Sequence, residues 1–152
     1  MSLKDTIKAD LTASMKARDE TTTSTLRMVL AAITNAEVAG DEAITLDDNQ
    51  TIAVLQAEAK KRSEAAQIYA DAGRNEAAAK ERTELSIIER YLPAAMSDDE
   101  LDAIIAEEVA KAKAAGAEGG KAMGLVVKAV RERAGSGADG ARIASAVKAA
   151  LN

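Results

Sequence analysis

Pro93 is the only proline among 152 residues, and it interrupts a sequence that otherwise reads as helix almost from end to end. Proline has no backbone N–H, and its ring pushes the preceding residue out of helical geometry. A helix arriving through "ELSIIERYL" therefore stops at about Leu92. Shortly after comes "SDDEL". There the Ser97 side chain can accept from the N–H of Glu100 while Glu100 reaches back, which is a capping box. Asp98 and Asp99 suit the positive end of the new helix. A stop, a linker around 93–97 and a restart predict a domain boundary, with residues 1–93 before it and 94–152 after it.

The rest of the chain supports helices on both sides. Alanine and strong helix formers such as Leu, Glu, Lys and Arg dominate, and strand formers never alternate over a useful length. With no Trp or Phe and only Tyr69 and Tyr91 as aromatics, the helices pack through small and aliphatic side chains. The predicted fold is all-α, with about four helices before the linker and a small three-helix bundle after it. The first helix runs from about Leu3 to Arg18, with Leu3, Ile7, Leu11 and Met15 as an i, i+4 stripe. "RDETTTST" reads as a break. A second helix puts Leu26, Val29, Leu30 and Ile33 on one face and ends near Gly40. After a polar loop, a third runs from a cap near Asp48 to about Ala72, and a fourth from Asn75 to Leu92. Beyond the linker, helices are expected over 98–115, 121–134 and from Asp139 to near Leu151.

The composition removes several chemistries. There is no cysteine and no histidine, so thiolate nucleophiles and the commonest metal ligand and general base are missing. No spacing singles out a carboxylate pair among the 25 acids. The reading therefore names no catalytic residue, no metal and no cofactor. The N-terminus is charged from Lys4 onward and lacks the apolar centre of a signal peptide. No apolar run approaches the ~20 residues of a membrane span. The expectation is a soluble cytoplasmic protein with no membrane partner.

Net charge is −5, but it is unevenly distributed. Residues 94–118 carry seven acids against two lysines. Residues 119–152 carry Lys121, Lys128, Arg131, Arg133, Arg142 and Lys148 against only Glu132 and Asp139. Such asymmetry can mark a binding face.

Other features have structural readings. "TTTST" (21–25) reads as a loop whose hydroxyls cap the second helix. Arg62 falls on the stripe Leu55, Ala59, Ala66 and Tyr69. It is read as cover over the bundle, paired with Glu58 or Glu84. Glu37, at the end of the second helix's stripe, is read as structural too. "KKR" (60–62) is flanked by Glu58 and Glu64 and reads as a solvated face. "GADGARI" follows no strand and has no Gly-Lys-Ser/Thr, so it reads as a turn and N-cap rather than a phosphate loop.

The stretches "LRMVLAAITNAEV" (26–38), "KKRSEAAQIYADAGRNEAAAKERTELSIIERYLP" (60–93), "MGLVV" (123–127) and "ADG" (138–140) together resemble the YqeY family. That family shares its domain with the tail of the GatB subunit of tRNA-dependent amidotransferases. The resemblance implies a helical N-terminal domain joined to a three-helix C-terminal domain. It also implies tRNA, or a tRNA–enzyme complex, as partner. On that reading the contacts are Lys121, Lys128, Arg131, Arg133, Arg142 and Lys148, which touch phosphates rather than read bases. DNA is not expected. Leu125, Gly137 and Ala141 stand where family members often carry basic residues. Two other readings accompany the first. One is a helical protein–protein adaptor. The other is a carbon–nitrogen ligase activity with glutamine as amido donor, inferred from GatB alone. No feature sets an oligomeric state.

Overall fold

The computed structural model describes the backbone of all 152 residues and every side chain except that of Ser136. Among the described residues the regular structure is entirely helical, with seven α-helices, one 3-10 turn and no strand. None of these helices is long and apolar enough to cross a membrane. By their contacts the residues form two compact units, Met1–Leu92 and Pro93–Asn152.

The first unit holds α1 (Leu3–Ala17), α2 (Glu20–Glu37), α3 (Asp48–Asp71) and α4 (Asn75–Glu89). Its core is Ile7, Leu26, Val29, Ile33, Leu55, Ala59, Ile87 and Ile88. The α1 stripe departs from the expected one: Ile7 is fully buried, but Met15 is 44% exposed and Ser14 is buried instead. Steps of four residues overrun the 3.6-residue turn by about 40° each, so two steps carry Met15 off the face. Ser14 Oγ donates to the Leu11 carbonyl and shares a 2.8 Å hydrogen bond with Thr23 Oγ1.

The threonine run is not a loop. Arg18 takes a left-handed φ of 58°, Asp19 caps α2 by accepting from the Thr22 N–H, and the helix begins at Glu20. Inside it, Thr25 is fully buried and its hydroxyl donates to the Thr21 carbonyl four residues back. Back-bonding of this kind lets a polar β-branched run stay helical. At its other end α2 stops at Glu37, three residues before Gly40. The returning loop, not the glycine, accounts for the stop. The Glu37 carbonyl accepts from the Ile44 N–H at 2.9 Å, and its carboxylate from the Leu46 N–H at 3.3 Å and Lys4 Nζ at 2.6 Å. The cap of α3 is Asp47, in a capping box with Gln50, rather than Asp48.

α3 and α4 form a hairpin turned by Gly73 at φ 75°. Beyond Arg62 and Glu84 its only buried residues are Ala66 and Ala78, so two alanines make the close helix–helix contact there. α4 ends at Glu89, three residues before Leu92. The chain then tightens into i→i+3 bonds from Tyr91 to Ile88 and from Leu92 to Glu89. Tyr91 O–H donates to Asp10 Oδ2 at 2.6 Å and ties this end of the unit to α1. Burial first, then the Asp10 carboxylate, push the phenol well above its usual range.

The second unit holds α5 (Asp98–Ala114), α6 (Gly119–Ala134), a 3-10 turn (Gly135–Gly137) and α7 (Gly140–Leu151). Ser97 and Glu100 make the expected capping box. α6 starts two residues earlier than Lys121. Asp139 caps α7 by accepting from the Arg142 N–H. The core is built on Leu101, Ile105, Val109, Ala122, Val126, Val130, Ile143 and Val147. Gly137 makes a close approach. Its carbonyl accepts from the Met96 N–H at 2.7 Å, and a Cβ on it would lie 3.2 Å from Met96 Cβ. A longer residue there has to displace Met96, so the missing basic residue at 137 is also a packing choice.

Candidate nucleic-acid interface

The face of α6 that enters the core is the i, i+4 row Ala122, Val126, Val130 and Ala134. Met123 and Val127 lie at the edge of that row and are only half-buried. Lys121 and Lys128 are exposed on the far side. Seven residues separate them, two turns of one helix face and about 10 Å. Arg131 is also exposed, and its guanidinium lies over the start of α7, 3.7 Å from where a Cβ would stand on Gly140.

The six candidate cations divide into two groups. Lys121, Lys128, Arg131 and Lys148 are exposed and have no ion pair among the described residues. Arg133 and Arg142 are engaged within the unit. Arg133 Nη1 lies 2.7 Å from Glu107 and 3.1 Å from Glu108. Glu108 is only 8% exposed, so Arg133 is a tie between α6 and α5 rather than a free charge. Hydrogen bonds to Glu107 and Glu108 hold the guanidinium above its ordinary range, and those from Arg133 and Lys111 hold Glu108 below its own. Arg142 Nη2 meets Asp98 at 2.7 Å, but that carboxylate is almost fully exposed, and such pairs are worth little.

Between α6 and α7 lies a trough of about 560 Å³, lined by Met123, Gly124, Val127 and Ala144 with Lys128, Arg131 and Glu132 at its rim. Lys148 stands apart from it, beside Lys113 at a second recess of about 530 Å³. Thus only Lys128 and Arg131 of the candidates share one recess. Leu125 is 48% exposed on the outer side of α6, where a basic residue would have added to them.

The first unit's buried charges are structural. Arg62 is 7% exposed, with Nη1 2.9 Å from Glu58 Oε2 and Nε 3.3 Å from Glu84 Oε2. The second approach is close enough for an ion pair but makes no hydrogen bond, so the buried Nε–H lacks a hydrogen-bond partner. Lys60 and Lys61 are exposed beside Glu64 and Glu58. Lys4–Glu37, Tyr91–Asp10 and Arg142–Asp98 join residues far apart in sequence. Nothing local announces them.

Three paired acids set an acid limit on stability. Lys4 and the Leu46 N–H hold Glu37 below its ordinary range. Burial raises Glu58, but hydrogen bonds from Arg62 and Lys61 outweigh it and leave it lowered. Glu108 is lowered as described. A carboxyl lowered in the folded state contributes its stability above the unfolded value, and that contribution fades as pH falls through the folded value. The melting temperature is expected to be flat from pH 7 to about 5 and to fall below about 4.5. A thermal melt series tests this; a melting temperature still flat at pH 3 contradicts it.

A family model described as "Yqey-like protein" matches residues 4–151. The chain belongs to the YqeY family. A curated relative of this YqeY-family chain is "Altered inheritance of mitochondria protein 41, mitochondrial" of Meyerozyma guilliermondii, 34% identical over 88 residues. The match covers 58% of the YqeY-family chain and 45% of that relative, so the chain spans less than half of the relative's length. Among the described residues no cluster of three or more acids is placed to hold a metal ion.

Proposed function

We propose that this YqeY-family protein is a non-catalytic RNA-binding module that engages tRNA or a tRNA–enzyme complex through α6 and α7. The observation that carries the reading is the set Lys121, Lys128, Arg131 and Lys148. These are four exposed cations without acid partners, in a chain whose net charge is negative. Structural cations such as Arg62 and Arg133 have carboxylates beside them. Other exposed cations, such as Lys8, Lys16 and Lys80, have no ion pair among the described residues either, and what sets these four apart is their place in a segment, 119–152, with only two acids. Cations left unpaired on one small bundle are what phosphate binding requires. The test is filter binding of total tRNA to the full chain at low and moderate salt. Saturable binding that weakens with salt supports the reading. Binding no stronger than that of an unrelated acidic protein at low salt sinks it.

The two units act, on this reading, as separate domains. Residues 93–95 are exposed, whereas Met96 is held to Gly137. Light proteolysis is expected to cut at 93–95 or in the exposed loop 39–45 before it cuts any helix. Cuts within α3 or α5 ahead of these sites contradict the separation. A second reading, a protein–protein adaptor, draws on the α3–α4 hairpin, where Ile68 is 67% exposed.

A further inference from the structure

We propose that the trough between α6 and α7 seats an unpaired nucleobase, with Lys128 and Arg131 on the neighbouring phosphates; this rests on the RNA reading above and deepens it. Proteins that hold single strands combine cations along the backbone with a surface on which bases rest. Here the two cations rim a recess of about 560 Å³ whose floor is Met123, Val127 and Ala144. Met123 and Val127 lie beside the row of α6 that fills the core, so they remain half-open to solvent. Gly124 keeps one wall low, with no atom within 4 Å of where its Cβ would stand.

A nucleobase matches this recess in chemistry. Its faces are apolar and polarisable, which suits a thioether and aliphatic floor, while its polar edge can stay hydrated at the open mouth. The guanidinium of Arg131 is planar and can also lie along a base. Lys128 and Arg131 are i, i+3 neighbours, with Cβ atoms about 5–6 Å apart, which suits successive phosphates of one strand. Glu132, the single acid on the rim, disfavours a third phosphate there. The floor has no fixed donors or acceptors to read a base edge, so the seat tolerates any base. Paired RNA keeps its bases stacked inside the duplex and cannot fill it. An acidic amphipathic helix would also meet the two cations. Past Met123 the apolar lining also continues, over Ala122 and Leu151 of the second recess, so such a helix is the competing occupant; Lys128 and Arg131 at the spacing of successive phosphates favour the strand.

The experiment measures binding of the full chain by fluorescence anisotropy to three labelled RNAs. These are a single-stranded decamer, the same decamer with abasic sites at its centre, and a blunt duplex of equal length. The intact single strand is expected to bind about fivefold tighter than the abasic one, the gain from burying about 40 Å² of apolar base face at about 25 cal/mol per Å² on an aliphatic floor. It is also expected to bind tighter than the duplex. Gly124→Leu starts from a Cβ that meets no atom within 4 Å, lays its side chain in the trough and brings the intact-to-abasic ratio to about one. Met123→Ser, checked for helicity, is the second variant and lowers the ratio as well. Equal, salt-sensitive affinity for intact and abasic strands overturns the seat while leaving the cation reading in place. No binding to any of the RNAs overturns both. An acidic amphipathic peptide that binds more tightly than RNA, and is lost in Gly124→Leu, reassigns the trough to a protein partner and overturns the proposal.

Discussion

Replacing Arg62 with methionine is expected to lower folding stability by about 3 kcal/mol, the scale for stranding a buried, hydrogen-bonded charge. Methionine preserves most of the arginine's length and its apolar stem, so packing over Leu55, Ala59 and Ala66 is largely kept. What is lost is the positive charge between Glu58 and Glu84. Glu84 is 6% exposed and has Arg62 as its ion-pair partner. Glu58 retains Lys61 at 3.0 Å, so most of the loss falls on Glu84. Adding Glu84→Leu to Arg62→Met is therefore expected to recover most of the stability. It removes the stranded acid, and it also removes an arrangement whose Nε–H lacked a hydrogen-bond partner. Urea denaturation of both single variants and the double variant measures the coupling. If the single Arg62→Met variant is as stable as the parent, the buried cluster is not what holds α3 against α4.

The features legible in the sequence are those whose cause is local. Pro93 and the Ser97–Glu100 box lie within a few residues of the events they control, and the chain stops and restarts there. Arg62 and Glu58 are one turn apart, so the pair could be read from spacing alone. One error is local: the threonine run looked like a loop although Asp19 caps it three residues ahead of Thr22 and Thr25 bonds back to Thr21. Others arise where a distant residue intervenes. Gly40 looked like the stop of α2 because the bonds that end it come from Lys4, Ile44 and Leu46. The same limit applies to the candidate site. Sequence shows six cations in a basic tail but not which of them have partners. Arg133 is paired 25 residues away with Glu108, and Arg142 is paired 44 residues away with Asp98. The trough was not legible either, since its lining mixes α6 with Ala144 of α7.

The division of the cations makes the RNA reading quantitative. If Lys121, Lys128, Arg131 and Lys148 each release one counterion on a single-stranded region, log affinity falls with log salt at a slope of roughly −3. Between 50 and 200 mM salt that is a loss of about 50-fold. Lys128→Glu with Arg131→Glu removes two contacts. The slope is then expected to flatten to about −1.4, and the loss over the same range to shrink to about sevenfold. Affinity at low salt falls for many RNAs alike, because phosphate contacts position a strand without reading it. Lys128→Glu also places an acid one turn before Glu132, a small cost to α6 that a helicity measurement detects. Two controls separate binding from general charge. Lys60→Glu changes an exposed lysine on the other unit and is expected to leave the slope near −3. Arg133→Gln keeps the free cations and leaves the nearly buried Glu108 with Lys111 at 3.2 Å, so it lowers stability by only about 1 kcal/mol while leaving the salt slope intact. If Arg133→Gln flattens the slope as much as the double reversal does, the engaged arginine touches RNA after all. The distinction between free and paired cations then no longer locates the interface.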